Sequence, residues 1–324
     1  TSRTASTREL TSYENALCGA TAGLISRALV APFDVVKITL QLETHRRTFG
    51  LLRPPAPKPP TTGILACASR IVQREGIRGL FKGNLSAEYL YLTYGGAQFV
   101  IFGAVEKTLK NIDGLPKRAR SFVGGALAGA MATSITYPFD LLRTRFIAQE
   151  STNRVHGSIV GAIRLIAREE GLRGFYRGLW PACLQIMPYM GIVFTSYDAL
   201  GSGYRWIRRT LLASDSAATR ALDSMQDAII GGGSAVIGKC CVYPLDLVRK
   251  RLQIQGPHLH SYASGNVPMY SGMTNALVYI VRNEGFLSLF RGLTPALIKA
   301  APASAAVFYF YGRTRDLLLT LKPE

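Results

Sequence analysis

Six residues at identical spacing carry the first chemical signal in this chain. Asp34 and Lys37, Asp140 and Arg143, and Asp246 and Arg249 each place an acid and a base three residues apart, behind Pro32, Pro138 and Pro244, and those prolines are 106 residues apart both times. On a helix, positions i and i+3 are neighbours, so each segment presents both charges in one direction. The set does not suggest bond-making chemistry. The four histidines, His45, His156, His258 and His260, fall in loops without a nucleophile or metal constellation around them, so no catalytic and no metal site is expected and the chain is not expected to be an enzyme. Opposite charges on neighbouring segments can instead pair, and be unpaired again. The cyclic arrangement that satisfies all six joins Asp34 to Arg143, Asp140 to Arg249, and Asp246 to Lys37. A buried charge left alone is costly. The ring is read as a breakable gate; the other reading is a permanent clasp, which could more simply be apolar.

A second signature trails each first one: Glu75-Gly76 with Phe81-Lys82-Gly83, Glu170-Gly171 with Tyr176-Arg177-Gly178, and Glu284-Gly285 with Phe290-Arg291-Gly292. Two linked motifs at a fixed long period mean one unit repeated three times. The repeats run approximately over 13–112, 113–212 and 222–321, and share one domain, 1–324.

Elements that could position these charges follow from hydropathy. Of the 324 residues, 48% are hydrophobic and the mean hydropathy is +0.15. Tyr89–Val105, Ser121–Phe139 and Gly178–Tyr197 hold 17, 19 and 20 residues without an acidic or basic side chain. Runs of about 20 apolar residues span a bilayer as helices. The expected fold is therefore an all-α membrane protein with six transmembrane helices, near 13–43, 85–111, 117–147, 179–209, 225–255 and 293–319. Short amphipathic surface helices fit near 63–74, 157–169 and 272–283. The three prolines fall inside long helices, where proline removes a hydrogen bond and kinks the helix. Gly19-x-x-x-Gly23 and Gly125-x-x-x-Gly129, with Gly231-Gly232-Gly233 in the third repeat, are expected where helices pack closely. The Arg53–Pro60 stretch reads as an extended insertion.

Net charge is +18. Nucleic acid, anionic lipid and anionic solute could each explain it. No basic, aromatic-interleaved soluble domain is present, which argues against nucleic acid. A lipid surface accounts for most of the charge, and cations inside the apolar helices need a separate account. Arg27 and Lys239 each lie five residues before their proline; Thr133 holds that position in the second repeat. A cation near mid-bilayer costs roughly 2.5–3.5 kcal/mol on insertion scales and is usually functional. Contact with a solute is expected for this set, with snorkelling to the surface as the other reading; about 1.5 Å per residue keeps Arg27 and Lys239 away from the kinks. Glu88, beside Tyr89 and Tyr91, reads either as paired with a nearby cation or as touching a cationic part of the solute. Five cysteines, Cys18, Cys67, Cys183, Cys240 and Cys241, show no ligand spacing, so neither a disulfide nor a zinc site is expected. Thr1–Leu10 is short and polar, so no cleavable secretory signal is expected; a chain opening on Thr is expected to have been trimmed or processed.

The two signatures resemble those of the mitochondrial carrier family, Pro-x-acid-x-x-basic followed by acid-Gly-x4-aromatic-basic-Gly, and the resemblance covers essentially the whole chain. It implies a six-helix bundle with threefold pseudosymmetry in the mitochondrial inner membrane, multi-pass, with both termini facing the intermembrane space. It implies alternating access, with the ring as the matrix-side gate. Gln41 and Gln253 match the family's glutamine braces beneath that gate, and Ile147 stands in the second repeat. Of the opposite gate, only Asp198 with Arg315 remains as a plausible bridge. Tyr270-x-Gly272 is similar to the family's cardiolipin-contact motif, and Gly83, Gly178, Gly292 and Gly272 are implied lipid contacts. On the even helices the resemblance implies solute contacts at Tyr91, Gln185, Ile186, Lys299 and Ala300, with Tyr94 and Tyr189 at matched heights.

Arg27, Lys239 and Lys299 suit anionic groups, and tyrosines suit stacking on a ring. Together they describe a phosphorylated aromatic solute. Within the family the chain looks most like the thiamine pyrophosphate carriers, on Ser26–Lys37, Tyr243–Gln253 and Leu297–Ala301. That implies antiport: thiamine pyrophosphate imported into the matrix as substrate, not cofactor, in exchange for nucleotides. A coenzyme A or adenine nucleotide carrier is the alternative, and a non-transporting adaptor of the same fold a further one. Threefold symmetry within one chain makes a monomer the simplest expectation.

Overall fold

The computed structural model describes residues 12–44, 63–110, 117–149, 155, 157–210, 217–262 and 267–321. The Thr1–Leu10 and Arg53–Pro60 stretches, His45 and His156 lie outside them. In chain order the helices are α1 (Ser12–Leu42), α2 (Ile64–Glu75), α3 (Asn84–Lys110), α4 (Lys117–Ala148), α5 (Ile159–Glu169), α6 (Gly171–Gly174), α7 (Leu179–Leu184), α8 (Ile186–Thr210), α9 (Ala217–Gln253), α10 (Met273–Asn283), α11 (Leu293–Ile298) and α12 (Ala300–Leu321), with 3₁₀ turns at Ile77–Phe81, Leu259–Ser261 and Phe286–Phe290. No strand occurs among the described residues, and one isolated backbone bridge joins Gln149 and Tyr262.

Six long helical paths form the bundle. α12 packs along α1, α3 along α4, and α8 along α9, so each repeat's second path lies against the first helix of the next repeat and the circuit closes. α1, α4 and α9 run unbroken through Pro32, Pro138 and Pro244. The expected unbroken helices over 179–209 and 293–319 are each divided in two, after Leu184 and after Ile298. A proline accompanies both interruptions. Pro188 and Pro302 have no N–H to offer the carbonyls four residues earlier, Leu184 and Ile298. Both prolines lie ten residues beyond the motif glycine, Gly178 or Gly292; at that offset from Gly83 stands Thr93, and α3 is continuous.

Large apolar side chains face outward, among them Phe99, Val100, Phe194 and Phe308. Two stretches, Met225–Gln253 and Phe286–Thr320, are apolar and long enough to cross a membrane by length and composition. The largest buried cluster gathers where the first helices converge: Val35, Ile38 and Leu42 of α1, Ile147 and Ala148 of α4, and Leu247, Val248 and Leu252 of α9. The amphipathic helices dock with one face, burying Cys67, Ala162 with Ile166, and Ala276 with Ile280. The Gly-x-x-x-Gly expectation is not met at Gly19, Gly23 or Gly125, where a methyl group would find nothing within 4 Å. It is met at Gly129, where an added Cβ would lie 3.6 Å from Ile186, and at Gly233, 3.2 Å from Leu200; Gly238 is tighter still, 2.5 Å from Val193 and 3.3 Å from Tyr189.

Candidate functional site

The proline segments bring their charges together at the converging end. Lys37 Nζ lies 2.7 Å from Asp246 Oδ2, Arg143 Nη2 lies 2.6 Å from Asp34 Oδ2, and Arg249 Nη2 lies 2.9 Å from Asp140 Oδ2. Each pair joins two different first helices, and the three pairs close a ring. Each carboxylate also holds a second cation. Lys239 Nζ reaches Asp246 Oδ2 at 3.3 Å, Lys299 Nζ donates to Asp34 Oδ1, and Lys250 Nζ bridges both oxygens of Asp140 at 2.9 Å. Three carboxylates therefore face six cations.

The glutamines reinforce two of the three pairs. Gln41 Nε2 donates to the Tyr243 hydroxyl at 3.0 Å and to Asp246 at 3.4 Å. Gln253 donates to Asp140 and accepts from Thr144 at 2.6 Å and Lys250 at 3.0 Å. Beneath them, the second signature's acids meet further cations. Glu170 takes Arg145 and Arg177, Glu284 takes Arg251 and Arg291, and Glu75 takes Lys82. Arg145 and Arg251 lie two residues past the ring base, where α1 has Thr39. The tyrosines just before Pro138 and Pro244 donate to the carbonyls of Arg177 and Arg291, at 2.8 and 3.0 Å. Lys250, Arg145, Arg251, Tyr137 and Tyr243 are the functional neighbours that sequence reasoning missed. For the last four a signal existed, a basic residue or a Tyr-Pro pair at one register in two repeats. Lys250 offered none, since its counterparts are Ile38 and Thr144.

Above the ring lies a cavity of about 320 Å³. Its floor is Asp34, Lys37, Asp140, Arg143, Asp246, Arg249 and Lys250, and its walls include Tyr91, Tyr94, Thr133, Gln185, Ile186 and Lys299. Five expected solute contacts are not on that wall. Arg27 stands behind it, its guanidinium stacked 3.6 Å from the centroid of the Tyr91 ring. Lys239 likewise stands behind Asp246. The expectation that helical rise keeps Lys239 from the kink fails: its long side chain reaches past Pro244 to that carboxylate. Tyr189 packs against Gly238, and Ala300 is exposed. Glu88 is turned aside because helix positions rotate by about 100° per residue, which carries it off the face shared by Leu90, Tyr91 and Tyr94. It makes no ion pair among the described residues, and the cations that bear on it are Arg27 and Arg143.

Asp198 and Arg315 are both exposed, and no ion pair joins them; the ion pairs that join the first helices are those of the proline segments. Gly83, Gly178 and Gly292 sit at positive φ and open α3, α7 and α11. Gly272 precedes α10 in extended backbone. Tyr270 is turned inward, its hydroxyl accepting from Arg251 Nη1 at 3.2 Å, and burial raises its pKa.

The sequence profile described as Mitochondrial carrier protein matches residues 8–113, 116–206 and 220–322. The chain is 43% identical over 311 residues to the mitochondrial thiamine pyrophosphate carrier 1 of Phaeosphaeria nodorum, covering 95% of this chain and 94% of that one. It is 45% identical over 305 residues to the protein of the same name in Emericella nidulans, covering 93% and 91%. The Aspergillus oryzae protein of that name is 44% identical over 308 residues, covering 94% and 93%.

Proposed function

Because the chain belongs to the mitochondrial carrier family, we propose that it is a transporter of the mitochondrial inner membrane that imports thiamine pyrophosphate into the matrix in exchange for nucleotides. One observation carries the substrate class: a cavity lined by three carboxylates and five cations, Lys37, Arg143, Arg249, Lys250 and Lys299, with Tyr91 and Tyr94 on its wall. Two positive charges remain on the lining after pairing, which suits a diphosphate, and the tyrosines suit an aromatic ring. Relatives named for thiamine pyrophosphate, alike over nearly the whole chain, narrow the class. Transport rather than catalysis is the reading that the family supports.

The proline ring is the matrix-side gate, and the cavity is the solute's site when that gate is shut. Asp198 and Arg315 meet when the opposite end closes. Solute must favour the occluded state over either open state, since a ligand shifts an equilibrium only by its differential affinity. The chain works as a monomer with both termini in the intermembrane space. Cardiolipin phosphates meet the backbone N–H groups at Gly272, Gly83, Gly178 and Gly292, where helices begin.

The test is uptake of labelled thiamine pyrophosphate by liposomes containing the purified protein, preloaded with thiamine pyrophosphate, nucleotides or nothing. Saturable, preload-dependent uptake is expected, and Arg27→Ala is expected to lose it while remaining folded. Exchange of adenine nucleotide or coenzyme A without thiamine pyrophosphate uptake overturns the substrate. Absence of any exchange by folded protein overturns the transporter reading in favour of an adaptor.

A further inference from the structure

Glu88 of α3 is an acid that the ring and the cavity wall both leave unused. Each of its carboxyl oxygens exposes less than 1 Å², and neither makes a hydrogen bond. Three polar groups act on it: Asn84, one turn earlier on α3, Arg27 of α1, and Arg143 of α4. Both guanidiniums are engaged elsewhere. Arg27 lies over the Tyr91 ring, and Arg143 holds Asp34 through Nη2 at 2.6 Å. The Nε of Arg143 is nevertheless buried and without an acceptor. A spare donor on α4 and a spare carboxyl on α3 therefore lie within electrostatic reach of each other. The two helices are close there: a Cβ on Gly83 would lie 3.4 Å from the Arg143 side chain, and Tyr89 stacks on Phe139 of α4 with centroids 5.9 Å apart.

A bare carboxylate closed to solvent is costly unless it is paired and hydrogen-bonded, whereas the neutral acid keeps the same place without a counter-ion. Acids within membrane helices commonly serve proton relays. We propose that Glu88 is a proton carrier, which makes the transporter read above a proton-coupled one: Glu88 holds a proton while Asp34 occupies Arg143, and releases it to the matrix when the ring parts and Arg143 turns to Glu88 instead.

The step is a proton transfer alone. The O–H bond of the Glu88 carboxyl breaks, water facing the matrix takes the proton, and the carboxylate left behind accepts the charge-assisted bonds that Arg143 had given to Asp34. When the ring forms again, Asp34 reclaims Arg143 and Glu88 takes a proton from the intermembrane-space side. One proton enters the matrix with each cycle, so a matrix more alkaline than the intermembrane space drives accumulation of the solute.

The experiment uses the purified full chain in liposomes that hold nucleotide and a pH-sensitive dye, with the membrane potential clamped. Labelled thiamine pyrophosphate added outside is expected to enter with acidification of the interior. An interior one pH unit more alkaline is expected to raise its accumulation about tenfold, the equivalent of one proton per cycle. In Glu88→Gln both responses are expected to vanish, while exchange of labelled for unlabelled thiamine pyrophosphate without a gradient continues at a lower rate. Responses that persist in Glu88→Gln, or that are missing from wild type that does exchange, overturn the proposal and leave the transporter reading intact. No uptake by wild type under any preload overturns that reading, and the proton site with it. Should Glu88→Gln lose exchange altogether, infrared spectroscopy decides. The carbonyl stretch of a protonated carboxylic acid is expected in solute-free wild type and not in Glu88→Gln; its absence from wild type, or an equal band in both, overturns the proposal.

Discussion

Arg145 grips Glu170 with both arms of its guanidinium, Nη1 at 2.5 Å from Oε1 and Nη2 at 2.9 Å from Oε2. Both side chains are closed to solvent, at 2% and 3% exposure, so screening gives no relief. Nε of the same guanidinium binds the Gln253 carbonyl and Nη2 also binds that of Gln255, at 3.0 Å each, which ties α4 to the end of α9. Removing Arg145 leaves the buried Glu170 with only the more exposed Arg177, 3.0 Å away, and unties both carbonyls of α9's end. Arg145→Leu is expected to lower stability by about 3–5 kcal/mol, read as a fall in the thermal midpoint, and Arg145→Leu with Glu170→Leu to recover much of it. Thr39→Ala, at the same register of α1, should change little; a comparable loss there would show that the register itself, not the ion pair, sets stability.

The doubled cations constrain what charge reversal can rescue. Asp34→Asn is expected to lower the thermal midpoint, since it leaves Arg143 and Lys299 facing a neutral amide. Exchanging the pair, Asp34→Lys with Arg143→Asp, restores one attraction but sets the new lysine against Lys299. Recovery should therefore be partial, and adding Lys299→Gln should improve it. Complete recovery by the exchange alone would mean that Lys299 does not share Asp34.

Much of this site is legible in the sequence. The ring pairs follow from three equivalent segments, each offering an acid and a base on one helix face, which a cyclic pairing satisfies together. The glutamines at Gln41 and Gln253 follow from family resemblance, and they do reach Asp246 and Asp140. Lys250 is hidden because a repeat reveals only what recurs, and Ile38 and Thr144 hold its place elsewhere. Lys239 is misjudged because helical rise places a Cα, while a four-carbon side chain decides where the charge goes. The division of the second and third even paths is written in Pro188 and Pro302, yet apolar continuity is the stronger pattern. Glu88 shows the converse limit: composition marks an acid in an apolar helix as unusual, but its facing depends on the register that α3 adopts.

The three motif glycines hold the even paths against the ring; at Gly83, φ +68°, an added Cβ would lie 2.9 Å from the Arg143 carbonyl oxygen. Gly292 has φ +81°, and a Cβ there would lie 2.8 Å from the carbonyl oxygen of Lys37 and 2.9 Å from the Tyr243 hydroxyl. Gly178, at φ +82°, would set its Cβ 2.9 Å from the Tyr137 hydroxyl and 3.0 Å from the Arg249 carbonyl. The left-handed conformation alone costs an L-residue roughly 1–2 kcal/mol, and the close carbonyl adds to it. Gly292→Ala is expected to lower the thermal midpoint clearly, whereas Gly312→Ala, whose Cβ would meet nothing within 4 Å, should leave it unchanged. Equal effects would deny the close approach.

Cys67 gives the protein a stability limit on the alkaline side. The thiol is fully buried on the inner face of α2, and burial first, the Glu43 carboxylate second, raise its pKa from 9.0 to about 12, against the opposing pull of Arg70. An acid whose folded pKa lies above its unfolded one holds its proton longer when folded. Its stabilising effect is complete below pH 9, where both states are protonated. It is lost as pH rises from about 9 toward 12, at about 1.4 kcal/mol per pH unit once the unfolded thiol has ionised. Tyr262, buried and raised from 10.0 to about 12, steepens the same decline above pH 10. Unfolding midpoints should therefore fall between pH 9 and 10.5, and fall less steeply in Cys67→Ala, even though that variant starts lower at pH 7. Iodoacetamide at pH 8 should leave Cys67 unmodified in the folded protein and alkylate it in denaturant. Rapid labelling of the folded chain at that pH would contradict both the burial of the thiol and the alkaline limit drawn from it.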